Sequence, residues 1–247
     1  MLEINPFAAL SASLPPAVMK GYVVLMAVLV ALGTLFDVVH KGSARYFFQN
    51  WRKSRGKSVS GGELLSIGMQ TALVDVLASG EFCNLRRRIA HLLTMYGFVV
   101  YVIATVVLVF DPGASPVWAR LWWIGGLLVL VGGYWFWFFI RVDVAAEGNS
   151  ALRFTRADIF VVSLVASVTF ALLWAWLHGW VLFGLYILAT TVLFGSVPWS
   201  KFAHMFFKPA AAFEKRVSYA NGTRSNLPAP ADKPEQFGKT PKHAHHY

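Results

Sequence analysis

The chain has 247 residues, of which 57% are hydrophobic and 14% charged, and its formal net charge is +10. Soluble domains carry about 25% charged residues, so this composition excludes an ordinary soluble protein and favours an integral membrane protein. In such a protein Lys and Arg collect on one side for topological reasons, and the positive charge therefore does not indicate nucleic-acid binding.

A single cysteine, Cys83, limits the redox chemistry that the chain can support. One thiolate cannot build an internal disulfide, an Fe–S cluster or a cysteine-based zinc site. Any redox centre in this chain would be a haem or a bound quinone.

Five apolar segments follow one another along the chain, each close to the roughly 20 residues that cross the hydrocarbon core of a bilayer. They cover about residues 21–39, 92–110, 121–140, 158–177 and 180–198. The predicted fold is all-α, an integral membrane bundle of five transmembrane helices within residues 1–218. Residues 219–247, rich in Pro, Asn, Lys and Gly, are predicted to be a flexible tail.

The first two spans are separated by a hydrophilic insert at residues 40–90. Within it Glu63 to Leu77 has the apolar spacing of an amphipathic helix, and Ser60 followed by Glu63 is a capping box. The segment is too short to span, so it is predicted to lie on the membrane surface or under a partner protein.

The distribution of positive charge predicts the orientation. Twenty of the 22 Lys and Arg lie in residues 40–90, 141–157 and 201–247. By the positive-inside rule these segments are cytoplasmic, which places the amino terminus outside and the carboxyl terminus inside. The expected location is the inner (cytoplasmic) membrane, crossed several times.

Glycines of the third span form two pairs seven residues apart. Gly125 and Gly132 are one pair, and Gly126 and Gly133 are the other. Small residues at this spacing predict a groove in which neighbouring helices approach closely.

Two histidines occupy the same predicted depth. His91 begins the second span and His204 follows the fifth, so both lie at the cytoplasmic edge of antiparallel helices. Facing imidazoles can hold a six-coordinate haem, and such a haem favours electron transfer because neither axial position is open. The alternative is that each histidine is an interfacial residue bonded to a lipid headgroup or a carbonyl group.

Other charged and imidazole groups at this edge have two explanations each. Arg86, Arg87 and Arg88 are candidates for neutralising haem propionates, but anchoring at the membrane surface explains them equally well. His40 is a further candidate ligand or quinone contact, or an interfacial cap. His178, between the fourth and fifth spans, is predicted to be a polar turn residue.

The segment Val197-Pro198-Trp199-Ser200-Lys201-Phe202-Ala203-His204 resembles the haem-ligating end of the cytochrome b (gamma) subunit of respiratory nitrate reductases. The long insert and the stretch from Glu81 to Phe98 resemble a related branch. That branch comprises the membrane subunits of quinone-interacting, adenylylsulfate-reductase-linked and heterodisulfide-reductase-like complexes of sulfur metabolism. The five-span, amino-out topology agrees with the family.

The resemblance implies haem b ligated through its iron by His91 and His204. In the nitrate reductase family two further histidines hold an outer haem, but Tyr101 and Tyr186 stand at the matching positions here. We therefore expect one haem, with quinone chemistry near the cytoplasmic half or around these two tyrosines, which become candidate quinone contacts.

The implied function is that of a membrane-anchoring cytochrome b subunit and not of a stand-alone enzyme. It would transfer electrons between the quinone pool and a cytoplasmic flavin or Fe–S subunit docked on the basic insert and tail. A haem-free anchor that docks a soluble redox enzyme, such as adenylylsulfate reductase, and binds quinone directly is the alternative. A small transporter is a third hypothesis, which the nearly uncharged spans do not favour.

Overall fold

The structure is a computed structural model, and every regular element in the described residues is helical. It describes residues 2–40, 49, 59–80, 82, 84–141, 152, 154–155, 158–199 and 204–222, with residues 204–207 described in their backbone only. Most of the predicted flexible tail, residues 223–247, lies outside this description.

Four helices are long and apolar enough to cross a membrane, which supports the predicted helical membrane bundle. They are α1 (Pro16–His40), α3 (Leu85–Phe110), α4 (Pro116–Trp135, continued as a π-helix over Phe136–Ile140) and α5 (Ile159–Leu177). The fifth predicted span is the shorter apolar helix α6, Trp180–Gly195. Whether α6 also crosses the membrane, and the orientation of the bundle, remain predictions.

Three of the long helices, α1, α3 and α4, begin earlier than the predicted apolar segments because residues outside those segments determine their starts. Pro16 begins α1, since a proline at the first helical position loses no helical hydrogen bond. The side chain of Asn84 accepts hydrogen bonds from the backbone at the start of α3, and Ser115 does the same for α4.

The five helices form a ring in which α3, α4, α5, α6 and α1 pack in that order and α1 closes onto α3. The glycine groove of α4 is confirmed, and each pair of glycines serves a different neighbour. A methyl group added at Gly125 would lie 2.7 Å from the backbone nitrogen of Tyr101 on α3. One added at Gly133 would lie 2.5 Å from the side chain of Val165 on α5. Glycine therefore permits close packing on two sides of α4.

The turn between α5 and α6 contains His178 in the left-handed backbone conformation, with φ 54°. This confirms the prediction of a turn residue. At the opposite end of α5, Asp158 accepts a hydrogen bond from Arg141 at 2.7 Å and two from Thr155 at 2.8 Å. This ion pair connects the end of α4 to the start of α5.

The predicted amphipathic helix is present as α2, Gly61–Gln70, which continues as a π-helix over Thr71–Leu77. Ser60 is its N-cap and accepts a hydrogen bond from the Glu63 backbone at 3.2 Å, as expected of the capping box. The helix packs against α7, His204–Ala220, which follows the bundle in sequence.

An ion pair connects the α2 extension to α7. The Arg216 guanidinium donates two hydrogen bonds to the Asp75 carboxylate, at 2.8 and 3.0 Å. These hydrogen bonds raise the pKa of Arg216 above its ordinary value. Because both side chains are partly exposed, solvent reduces the contribution of the pair to stability.

Replacing Asp75 with alanine is expected to loosen α7 by about 1 kcal/mol, because Arg216 loses both charge-assisted hydrogen bonds. Hydrogen–deuterium exchange of the α7 amides should rise correspondingly. The matched control is Glu3→Ala, which removes an exposed ion pair with Arg120 and should leave α7 exchange unchanged. Unchanged exchange in Asp75→Ala, or equal exchange in both variants, would show that this ion pair does not hold α7.

Candidate functional site

A half-open cavity of about 630 Å³ lies among the helices of the ring. Ligand pockets in proteins are typically about 300–1,000 Å³, so the volume suits a small organic molecule. Four helices, α1, α3, α5 and α6, contribute its walls together with the segment before α1. On α3 the lining begins at Phe98 and ends at Val109, which places the cavity in the half of the helix away from His91.

Tyr101 and Tyr186 both line this cavity. The two side chains come from α3 and α6, and each residue is only 5% exposed. Tyr101 packs against Trp122, with ring centroids 5.4 Å apart, and Tyr186 stacks on Trp174 at 6.1 Å. Tryptophans therefore fix the positions of both tyrosines from outside the cavity.

The Tyr101 hydroxyl is buried without a hydrogen-bond partner among the described residues. A buried hydroxyl without a partner costs about 1–3 kcal/mol. The neighbouring Thr105 hydroxyl is already engaged, because it accepts from the Trp122 indole at 3.0 Å and donates to the Tyr101 carbonyl at 2.7 Å. Tyr101 thus offers one hydrogen bond to a molecule in the cavity.

The hydroxyl groups of Ser167, Thr190 and Tyr22 in the wall have hydrogen-bond partners within the bundle. Ser167 and Thr190 share a hydrogen bond of 2.7 Å, and Thr190 also donates to the Tyr186 carbonyl. The Tyr22 hydroxyl lies 3.0 Å from both the Ile187 carbonyl oxygen and the Thr191 hydroxyl. The rest of the lining is almost entirely aliphatic and aromatic.

The segment before α1 forms one end of the cavity. Phe7 packs between Trp122 and Trp174, with centroids 5.8 and 5.5 Å away, and both Phe7 and Leu10 line the cavity. The Asn5 amide anchors this segment by donating to the Leu108 carbonyl at 2.9 Å. Nothing in the sequence of this stretch indicates what it covers.

His91 lies at the other end of α3, in a separate environment. Its Nδ1 is 3.0 Å from the Ser79 hydroxyl, and its ring lies 4.8 Å from that of Phe82. Ser79 is buried and has φ 49°, an uncommon conformation for a residue with a side chain. A hydrogen bond on one ring nitrogen fixes the orientation of an imidazole, and metal-ligating histidines have such a bond on the nitrogen that does not bind the metal.

The three arginines near His91 have different surroundings. Arg88 donates to the Ala78 carbonyl at 2.7 Å and so holds the segment that carries Ser79. Arg86 is exposed. The Nε of Arg87 is buried and has no hydrogen-bond partner among the described residues. Arg87 is one helical turn before His91 and on the same face, so of the three it is best placed to bind an anionic group beside His91.

Two further predicted site residues are His204 and His40. His204 is the first residue of α7, and its side chain lies outside the described residues. His40 ends α1, is exposed, and stacks on Phe36 with centroids 4.9 Å apart. It does not belong to the cavity lining.

In the part of the chain that the structure describes, no group of three or more His, Cys, Asp or Glu side chains could hold a metal ion. The two candidate sites are the imidazole of His91 at one end of α3 and an apolar cavity that contains the Tyr101 hydroxyl in its other half. Tyr101 is ten residues from His91, about 15 Å along the helix.

The sequence and the structure were compared with known proteins in three ways. No protein-family model, no curated protein and no solved structure matches this chain.

Proposed function

We propose that this protein is the membrane subunit of a quinone-linked redox complex. It binds quinone in the cavity between α1, α3, α5 and α6 and exchanges electrons with a cytoplasmic flavin or Fe–S subunit. One haem b between His91 and His204 links the two. The protein would then belong to the inner membrane, with five spans and its amino terminus outside.

The observation that carries this proposal is the cavity with the unpaired Tyr101 hydroxyl. An apolar volume of about 630 Å³ suits a quinone ring and the start of its isoprenoid tail. A quinone carbonyl oxygen accepts hydrogen bonds, and Tyr101 has one to donate. The described residues of the lining include no charged side chain, as expected for a neutral ligand taken from the lipid phase.

The surroundings of His91 fit a haem ligand. Ser79 fixes its imidazole through Nδ1, and Arg87 has an unmatched buried nitrogen one turn away that suits a propionate. His204 would supply the second imidazole. When bound between two imidazoles, a haem exchanges single electrons and has no open position for substrate.

The second candidate function is a haem-free anchor that binds quinone directly and docks a soluble redox enzyme. The same cavity favours it, because Tyr101 and Tyr186 form a quinone site without any contribution from His91. The two functions differ in one observable property, which is a b-type absorbance spectrum of the purified protein.

Replacing Tyr101 with phenylalanine is expected to weaken quinone binding about tenfold, because one hydrogen bond contributes about 1–1.5 kcal/mol. Binding can be followed through quenching of tryptophan fluorescence, since Trp122 and Trp174 lie beside the cavity. The ligands are a benzoquinone and a naphthoquinone, each with a short alkyl tail.

The matched control is Tyr134→Phe, which removes a hydroxyl bonded to Thr169 at 2.9 Å outside the cavity lining. It should leave quinone affinity unchanged. Equal affinity in Tyr101→Phe and the unmodified protein, or equal losses in Tyr101→Phe and Tyr134→Phe, would rule out the cavity as the quinone site.

A further inference from the structure

Helix α2 has two apolar faces, and the described residues cover one of them. Ile67 and Thr71 are buried on the side that packs against α7. On another side Leu65, Met69 and Leu73 follow one another at helical spacing and are 67%, 57% and 55% exposed. We call these three residues the outer stripe. A contiguous exposed apolar surface of this kind marks an interaction site.

Two hydrogen bonds determine where the end of α2 lies relative to the membrane-spanning bundle. The Tyr96 hydroxyl donates to the Leu77 carbonyl at 2.7 Å, and Arg88 donates to the Ala78 carbonyl at 2.7 Å. Tyr96 is eight residues beyond Arg88, about 12 Å along α3. The end of the α2 extension is thus held beside α3, between the turn that contains Arg86 to Arg88 and the first apolar turns that follow it.

The apolar surface continues from α2 onto α3. Leu85 and Ile89 at the start of α3 are 67% and 38% exposed, and Tyr96 is 43% exposed. These residues belong to a helix long and apolar enough to cross a membrane, whose exposed apolar side chains face lipid. The outer stripe is at the same end of the bundle, because the Tyr96 hydroxyl bonds the Leu77 carbonyl at the end of the α2 extension.

The charges at this end suit a lipid surface. The outer stripe itself carries no charge, and the carboxylate of Asp75 is paired with Arg216. The other acidic residue of α2, Glu63, is exposed but is two residues from Leu65 and so does not share the face of the stripe. Arg86, in the first turn of α3, is exposed. Helices that lie in the membrane interface and bind anionic lipids place apolar side chains among the acyl chains and cations at the level of the lipid headgroups.

We propose that α2 lies in the plane of the membrane surface. Leu65, Met69 and Leu73 insert among the acyl chains, and Arg86 binds the phosphate of an anionic phospholipid. This interaction is independent of the redox function. It also restricts a soluble partner to surfaces other than the outer stripe, such as the polar side of α2 and the exposed side of α7.

The test uses the full chain with Cys83→Ala and a single new cysteine, either Met69→Cys on the outer stripe or Gln70→Cys beside it as the matched control. Each is labelled with an environment-sensitive fluorophore and reconstituted into phosphatidylcholine vesicles, with or without phosphatidylglycerol. Quenching by nitroxide-labelled lipid and by aqueous iodide is then compared. The measurement is repeated over a range of protein-to-lipid ratios.

We expect position 69 to be quenched severalfold more by nitroxide lipid than position 70, and position 70 to be quenched more by iodide. Phosphatidylglycerol should increase the difference, and Arg86→Gln should remove that increase. Strong iodide quenching at position 69 in vesicles would overturn the proposal and leave the stripe open to a soluble partner. Protection that appears only at high protein density would overturn it in favour of contact between two copies of the chain.

Discussion

Replacing His91 with alanine is expected to abolish the b-type absorbance of the purified protein completely. His91 would supply one of the two imidazoles that hold the proposed haem, and the Ser79 hydroxyl that orients His91 cannot take its place. The measurement is the reduced-minus-oxidised spectrum, together with the haem content of the purified protein. His204→Ala should give the same loss.

Two variants distinguish ligation from general disturbance of the fold. Ser79→Ala removes only the hydrogen bond on Nδ1 and should weaken haem retention about tenfold while preserving the shape of the spectrum. His178→Ala changes an imidazole in the turn between α5 and α6, far from His91 in sequence, and should leave the spectrum unchanged. Survival of the bands in His91→Ala combined with His204→Ala would exclude both histidines as ligands.

Replacing Gly125 with leucine is expected to destabilise the bundle by about 3 kcal/mol or more. The first side-chain carbon alone would lie 2.7 Å from the Tyr101 nitrogen and 2.8 Å from the Gly97 carbonyl oxygen. Both are backbone atoms of α3, so the clash cannot be relieved by a rotamer change. Separation of α3 from α4 would also displace Tyr101, and quinone affinity should fall with stability.

Gly184 provides the matched control for this change. It is also within a helix, α6, but a methyl group added there would have no neighbour within 4 Å. Gly184→Leu should therefore leave the melting temperature in detergent unchanged or raise it slightly, because glycine is a poor helix former. Similar melting temperatures for the two variants would contradict the close packing of α3 on α4.

The helices and their close contacts could be predicted because they depend on local patterns. Apolar length predicted the four long helices and the shorter α6, and the seven-residue spacing of Gly125 and Gly132 predicted the groove in α4. The starts of α1, α3 and α4 were predicted too late. For α3 the apolar run does not reveal that Asn84 caps a helix beginning at Leu85, seven residues before the predicted start at residue 92.

The candidate sites depend on contacts that a single sequence does not contain. Ser79 reaches His91 through a left-handed backbone conformation, and the dipeptide Ser79-Gly80 indicates only that the chain turns there. Phe7 reaches the cavity from a segment without helical periodicity. Tyr101 and Tyr186 were found by comparison with a family pattern, and the structure places both in one cavity.

Electron transfer from quinol to haem is tested most directly by reduction of the purified, oxidised protein with a quinol alone. A short-tailed quinol is expected to produce the reduced b-type bands that dithionite also produces. Reduction should be about tenfold slower in Tyr101→Phe, because one hydrogen bond is lost, and unchanged in Tyr134→Phe. If dithionite reveals no b-type bands, or if it does and no quinol produces them, the protein does not transfer electrons between quinone and haem.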